Sequence, residues 1–479
     1  MTAYLWHANN LTAAVQALHP YWQHAFTSQS SRIITDSRKI QTGDIFLALK
    51  GDNFDGHDYV QTAYDKGAIA AIVSQVQACD VPQLVVDDTR LALGQLGAYR
   101  RRQHPNLTVV AITGSSGKTT VKEMLGSILS RIAPTRITRG NLNNDLGVPM
   151  MLLELTDTDR YAVLELGANH LGEIAYTTAL VQPQVAGVLN IGTAHLGEFG
   201  GRDNIARGKS EIYQGLSATG TAVLPANDDY SDTLRHAANA HTKHVLAFGD
   251  FRQPTAKAGQ VLATAIQTSQ HGSAFTLQFA APLPEGQADI ELNFAGEHNI
   301  NNALAAATCA AALGIDIDTI AAGLNAAQPA KGRLNIHQRG KHTLIDDTYN
   351  ANPDAVLAAA AVLAQQTGHK ILVLGDIGEL GGDAPAEHAK LGTALAATAI
   401  DRVVAVGDLM AHTVAAANAA RADNAKQTFA MHFSSKDALV AYLTEQMADA
   451  ACSVLCKGSR FMQMEQVVEA LLAANPASA

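Results

Sequence analysis

Leu107-Thr-Val-Val-Ala-Ile-Thr-Gly-Ser-Ser-Gly-Lys-Thr-Thr120 is the stretch on which the fold turns. Its first six residues carry no charge and read as a strand buried on both faces. A glycine loop follows at once, and the next residues open a helix predicted from Thr119 to about Arg131. That order places backbone N–H groups and a helix N-terminus around an anion. Gly114 and Gly117 let the backbone approach phosphates closely, with Ser115, Ser116 and Thr120 completing the cradle. Lys118 is suited to offsetting β/γ-phosphate charge, and the Thr119 hydroxyl to reaching a magnesium ion. The usual phosphate loop has one more glycine where this chain has Ile112, so a plain glycine turn with a chance lysine is the competing reading.

Outward from the loop the strand pattern continues. Apolar runs at Tyr161–Leu164, Val185–Ile191, Thr221–Leu224 and His244–Phe248 are separated by helix-length stretches, the signature of a mainly parallel sheet covered on both faces. Near Val261–Phe279 and Ala288–Phe294 the pattern alternates as antiparallel strands do, and a helix over Ile300–Leu313 closes the block. Upstream, short runs at Arg32–Thr35, Asp44–Leu49, Ala68–Val73 and Gln83–Val86 suggest a small α/β unit, joined by a helix over Leu91–Gln103. Downstream, His342–Asp346, Lys370–Leu374, Arg402–Val406 and Cys452–Cys456 alternate with alanine-rich helices, as in a smaller doubly wound domain. The expected organisation is α/β throughout, in three domains: 1–103, 104–328 as the ATP-binding centre, and 329–479 as a Rossmann-like unit.

Composition narrows the function. At 479 residues the chain exceeds one compact core. A net charge of −10 and few aromatics argue against nucleic acid as a partner. Arg100-Arg-Arg102 is the one basic cluster of note and reads as a solvated helix end. Four cysteines do not make a disulfide framework, no leader opens the chain, and no run approaches a membrane span, so a cytoplasmic protein is expected.

Several polar residues fall where ligands bind in open α/β sheets, at the carboxyl ends of strands. Glu165, ending the second core strand, is a hard oxygen donor of the kind magnesium prefers, though alone it reads equally well as a capping or salt-bridging glutamate. His195 follows the next strand end, and imidazole is a softer ligand than magnesium usually takes. Lys209, read alone, is a surface-helix lysine.

The short loop Thr113-Gly-Ser-Ser-Gly-Lys-Thr119 resembles that of the Mur ligase and folylpolyglutamate synthetase superfamily, which phosphorylates a carboxylate and couples it to an amine. The resemblance runs from about Ser31 to Gln466. It implies two magnesium ions held with Thr119, Glu165, His195 and a carbamylated Lys209. It also implies adenine contact by Asn299, in Gly296-Glu-His-Asn-Ile-Asn-Asn302, ribose contact by Asp347, and phosphate contact by Arg333 from the third domain. Lys118, Glu165, His195, Lys209 and Arg333 are then the catalytic set. Ser37, Arg38, Phe46, Asp55, Gly56 and His57 fall in motifs that resemble the family's UDP-sugar-binding domain.

Within the family, Gly140-Asn-Leu-Asn-Asn-Asp-Leu-Gly147, Asp346-Asp-Thr-Tyr-Asn-Ala-Asn-Pro353 and Gly375-Asp-Ile-Gly-Glu-Leu-Gly381 resemble the branch that adds D-alanyl-D-alanine to UDP-N-acetylmuramoyl-tripeptide, the last cytoplasmic step of peptidoglycan precursor synthesis. This implies substrate contacts by Asn141, Asn144, Tyr349, Asn350, Asn352, Lys457, Ser459 and Arg460, in a monomer. Gly375-Asp-Ile377 departs from the more common Gly-Asp-Met, and Lys209-Ser-Glu211 from Lys-Gly-Glu. Nucleotide contacts on two domains imply closure about a hinge near 328–331. A phosphate-loop kinase, a folylpolyglutamate synthetase and a non-catalytic nucleotide sensor are the competing readings; the N-terminal motifs weigh against the second and the metal-ligating residues against the third.

Overall fold

The structure is a computed structural model that describes residues 4–51, 53–193, 196–250, 260–421 and 428–474. Three separate sheets organise the described residues. The first runs Tyr21–Trp22, Gln83–Val85, Ala70–Val73, Ile45–Leu47, Ile33–Ile34, parallel except at its Tyr21–Trp22 edge.

The central sheet holds nine strands and is where the loop lies. Thr108–Thr113 sits between Tyr161–Glu165 on one side and Val185–Val188 on the other, parallel to both. The chain builds first toward Thr135–Ile137 at one edge, then reverses to add Val185–Val188, Thr221–Pro225 and His244–Asp250. The reversal puts a topological switch at the carboxyl end of Thr108–Thr113, where a crevice for ligand opens. Beyond Val261–Thr268 the sheet turns antiparallel through Ser273–Phe279 and Gly286–Leu292, as the alternation predicts. Both faces are covered: Val110, Ile112 and Val163 face the helices Lys118–Leu129 and His298–Ala311, while Val109, Ala111 and Leu164 face Gly147–Leu153 and Glu173–Val181. The third sheet runs Asn335–Arg339, His342–Asp346, Cys452–Lys457, His369–Gly375, Arg402–Val406, Ala430–Phe433, with one antiparallel hairpin at its start. Cys452 and Cys456 lie buried in a strand there, as read. The short strands Thr135–Ile137, Asn335–Arg339 and Ala430–Phe433, and the helix Ile317–Ala326, are additions to the sequence reading.

One expectation is reversed. Arg100 and Arg101, at the end of helix Thr89–Arg102, are not solvated. Arg100 is 0% exposed, donates through Nη2 to the Leu155 carbonyl (2.8 Å) and to Asp157 (2.9 Å), and stacks over Tyr4. Arg101 Nε donates to the Val181 carbonyl (3.0 Å). The helix is therefore a clasp between the N-terminal unit and the ends of two central helices, whose last carbonyls need donors. Only Arg102 stays exposed.

Candidate active site

The phosphate loop is built by close backbone approaches. Gly117 has φ +81°, and a Cβ there would stand 2.3 Å from Asn302 Oδ1, so only glycine fits. Ser115 N donates to the Asn190 carbonyl (3.2 Å) and Ser116 N to Asn190 Oδ1 (3.0 Å), fixing the loop against the end of the neighbouring strand. Lys118 opens the helix and folds back, its Nζ donating to the Gly114 carbonyl at 2.6 Å. Burial pushes the Lys118 ammonium down from its ordinary value, Glu165 opposes that, and Arg333 reinforces it.

Glu165 is 2% exposed at the end of its strand. Its Oε2 accepts from the Thr119 hydroxyl at 3.4 Å. Its Oε1 is buried without a hydrogen bond; Lys122 Nζ, at 3.8 Å, is in ion-pair range but beyond hydrogen-bond reach. Lys122 itself is committed to Glu123 (2.8 Å) and the Thr138 carbonyl (2.9 Å). A buried carboxylate oxygen left open beside a hydroxyl suits a hard cation. Among the described residues no group of three or more His, Cys, Asp or Glu could hold a metal ion by itself. Magnesium does not require one, since it takes one or two carboxylates and fills its shell with water and phosphate oxygen.

Lys209 is not the surface lysine of the bare reading. It is 1% exposed in helix Arg202–Ser210, and burial followed by the nearby Lys118 charge drives its ammonium well below the ordinary lysine value. Its described neighbour is the Phe199 ring, 6.0 Å from Nζ. His195 lies outside the described residues.

The third unit reaches this loop directly. Arg333 Nη2 donates to Thr119 Oγ1 (3.0 Å), and its guanidinium lies 4.2 Å above the Tyr349 ring. Asp354 Oδ2 accepts from Thr193 N (3.0 Å) and Oγ1 (2.7 Å), a second bridge beside the loop.

Two cavities meet here, sharing Ser116, Gly117, Arg333 and Lys457. One, of about 290 Å³, is lined by Thr120, Asn299 and Asp347. Asn299 is 4% exposed and held by the Ala295 carbonyl (2.7 Å) and Asn302 (2.8 Å); Asp347 pairs with Lys457 at 2.6 Å. The other, of about 760 Å³, is lined by Lys118, Thr119, Glu165, Asn141, Asn144, Tyr349, Asn350, Asn352 and Arg460. Asn352 doubles as a helix N-cap, accepting from Ala355 N, and Asn144 Oδ1 accepts from Gly147 N. Asn143, Asn190, His298 and Glu379 also line these cavities and were not singled out in the sequence; Asn143, His298 and Glu379 stand inside quoted motifs, whereas Asn190 falls within the run Val185–Ile191.

Other predicted contacts carry structural roles. Phe46 is 1% exposed, its side chain packed in the N-terminal core with Val60 and Val73. His57 is buried with both ring nitrogens engaged: Nε2 accepts from Ser74 N (2.9 Å), so Nδ1 donates to Asp55 (2.6 Å). A Cβ on Gly56 would stand 2.5 Å from the Leu49 carbonyl, which makes Asp55-Gly56-His57 a tight structural corner. Ser459 is buried, and its Oγ accepts from Gly378 N (2.9 Å), so it braces a loop. Ser37 and Arg38 remain accessible but line neither cavity; Arg38 lies along Asp36 (2.9 Å), whose carboxyl it holds down at about 2.

These features define an ATP-binding α/β protein with a two-sided cleft, and comparison with known proteins gives its class. Residues 112–310 match the Mur ligase middle domain, 332–460 the Mur ligase glutamate ligase domain, and 30–101 the Mur ligase family catalytic domain. The chain belongs to the Mur ligase family. It is 44% identical, over 92% of its length and 93% of the relative's, to UDP-N-acetylmuramoyl-tripeptide--D-alanyl-D-alanine ligase of Escherichia coli. The crystal structure of MurF from Acinetobacter baumannii superposes with a TM-score of 0.90 at 48% identity, covering 98% of this chain and all of that one. MurF of Thermotoga maritima in complex with ADP gives a TM-score of 0.79 at 26% identity, covering 92% and 96%.

Proposed function

We propose that this chain is an ATP-dependent ligase that joins D-alanyl-D-alanine to UDP-N-acetylmuramoyl-tripeptide through an acyl phosphate. What carries the reading is nearly full-length identity of 44% to a ligase of that activity. The cleft supports it, because the phosphate loop opens on one side to a cavity of nucleotide size and on the other to a larger polar one. Three units, 1–103, 104–328 and 329–479, divide the work: sugar-nucleotide binding, ATP binding and acceptor binding.

The tripeptide carboxylate must attack the γ-phosphate, and both are anions. Lys118 and Arg333 lower that repulsion from opposite sides of the loop. Asn299 and Asp347 face the adenine and ribose, with Lys457 holding Asp347 in place. Thr119, Glu165, His195 and Lys209 would hold two magnesium ions, which neutralise phosphate charge when bound. Lys209 fits that set as a carbamate. A buried lysine with a depressed ammonium is nucleophilic enough to add CO2, and the change from cation to anion removes its conflict with Lys118. The acyl phosphate hydrolyses readily, and the Arg333 and Asp354 bridges close the cleft over it. The dipeptide amine then attacks the acyl carbon, a tetrahedral intermediate collapses, and phosphate leaves. A monomer with its hinge near 328–331 satisfies this scheme, working in the cytoplasm; among the described residues no helix is long and apolar enough to cross a membrane.

Phosphate release tests the proposal. With UDP-N-acetylmuramoyl-tripeptide and ATP present, D-alanyl-D-alanine is expected to support turnover and single amino acids are not. Turnover with a free amino acid alone would overturn the assignment. A structural relative from Acinetobacter baumannii is described as a diaminopimelate-containing peptide ligase at 48% identity, so diaminopimelate is the proposed third residue, and the lysine-containing tripeptide is the comparison arm.

A further inference from the structure

The loop after strand His369–Gly375 carries a residue in an uncommon backbone state. Glu379 has φ +64°, the left-handed region that side chains other than glycine seldom occupy. Its surroundings enforce this. Ile377 N donates to His388 Nε2 (3.2 Å), and His388 Nδ1 donates to the Ala384 carbonyl (2.7 Å), which fixes Nε2 as the acceptor. Gly378 N donates to Ser459 Oγ (2.9 Å), and Ile377 and Leu380 are both buried. On the far side the loop meets the central unit so closely that a Cβ on Gly197 would lie 2.5 Å from Gly381 N. Between the buried anchors Ile377 and Leu380, the exposed side chain is that of Glu379, and it lines the larger cavity with Lys118 and Glu165.

Strain of this kind persists where the structure over-determines it, and it gathers at functional sites. A carboxylate at this position does nothing for ATP. It shares the cavity wall with Lys118 and would repel phosphate there. It is suited to a cation. The acceptor dipeptide supplies one at its reacting end, an ammonium, while the exposed cations Lys331 and Arg460, paired with Glu469 and Glu465, stand on the same walls to meet its carboxylate.

We infer that Glu379 receives the amino end of the incoming dipeptide and holds its nitrogen at the mouth of the phosphate loop. The inference rests on the ligase reading above. Glu379 is then a substrate-binding residue, and Ser459 and His388 are positioning residues acting through its loop.

The test measures phosphate release by the full chain and by Glu379→Gln, Glu379→Asp and Glu379→Gly, varying each substrate in turn. Glu379→Gln is expected to raise KM for the dipeptide about tenfold or more, the range for losing a hydrogen bond to a charged group. KM for ATP and the magnesium requirement should stay within about twofold. Glu379→Asp should recover part of the dipeptide affinity. Glu379→Gly accepts the left-handed conformation without strain, so it should keep or raise Tm while showing the dipeptide defect. An unchanged dipeptide KM in Glu379→Gln overturns the inference. So does a rise confined to the ATP or magnesium dependence, which would assign the carboxylate to the metal. Absence of dipeptide-dependent phosphate release in the parent would instead defeat the ligase reading itself.

Discussion

Arg333 Nη2 donates to Thr119 Oγ1 across 3.0 Å, although 214 positions separate the two residues in the sequence. The arginine comes from the segment leading into the third sheet, and the threonine from the first turn of the phosphate-loop helix. The contact sets a planar guanidinium beside the phosphate loop, with the Tyr349 ring 4.2 Å beneath to fix its plane.

Replacing Arg333 should therefore slow the chemical step more than it weakens folding. Arg333→Ala is expected to reduce kcat by about 10²–10³, the usual range for losing one transition-state donor. Arg333→Lys should recover little, because an ammonium cannot stack or bind bidentately. Steady-state kinetics with the three substrates saturating, alongside thermal melts, checks this. A variant with parental kcat would remove Arg333 from the catalytic set.

Lys209 offers a sharper test, because burial leaves it little reason to be a plain ammonium. Lys209→Ala should lose nearly all activity, and short carboxylic acids such as acetate or formate should restore part of it by supplying the missing anion. Rescue should follow the carboxylate concentration and be absent with chloride. Full activity in the unrescued variant would dismiss the carbamate. Intact-mass measurement of the parent under CO2 trapping conditions gives an independent readout.

The parts of the fold visible in the sequence were those written in local pattern. The uncharged run before Thr113 and the glycine loop after it specify a strand and a phosphate cradle with no help from elsewhere. The switch to alternation near Val261 likewise foretold the antiparallel edge. What stayed hidden depends on partners far along the chain. Arg100 looks like any helix-end arginine until the Leu155 carbonyl, fifty-five residues on, accepts its hydrogen bonds. Phe46 and His57 stand in ligand-like motifs, yet packing decides that one fills a core and the other ties a corner. Glu379 stands inside a quoted motif, yet its left-handed backbone, φ +64°, is something no composition or spacing carries.

Arg100 should matter for stability and not for chemistry. Arg100→Ala leaves the Leu155 carbonyl without its donor and opens a hole under Tyr4. The expected cost is about 2–3 kcal/mol, with Asp157 contributing less because it is half exposed. In a chain with three sheets this will show as an earlier first transition and not a uniform shift. Differential scanning calorimetry should resolve it, while KM for ATP stays unchanged. Asp157→Asn should melt close to the parent.

The four cysteines should separate by burial. Cys309, Cys452 and Cys456 are buried, and burial pushes the Cys309 thiol up to about 12. Cys79 is only partly covered. Titration with a chromogenic disulfide at pH 8 should show one fast thiol in the native protein and four after denaturation. Two or more fast native thiols would show that the helix carrying Cys309 or the strand carrying Cys452 and Cys456 opens readily.

In the N-terminal unit the structure divides the predicted substrate contacts into two kinds, and paired variants can tell them apart. Phe46 fills the core beside Val60 and Val73, so Phe46→Leu should cost about 1 kcal/mol in stability and leave KM for the sugar nucleotide as it was. Arg38 is solvent-facing, its side chain 85% exposed and paired with Asp36. Arg38→Ala should leave Tm alone and raise KM for the sugar nucleotide about tenfold, as expected for a lost guanidinium–phosphate contact. The opposite pattern, a nucleotide defect in Phe46→Leu with none in Arg38→Ala, would mean that the diphosphate is held on another face. Because Phe46 is buried in the core and Arg38 lies on the surface, the two effects should add in the double variant, and strong coupling between them would point to a rearranged unit when substrate is bound.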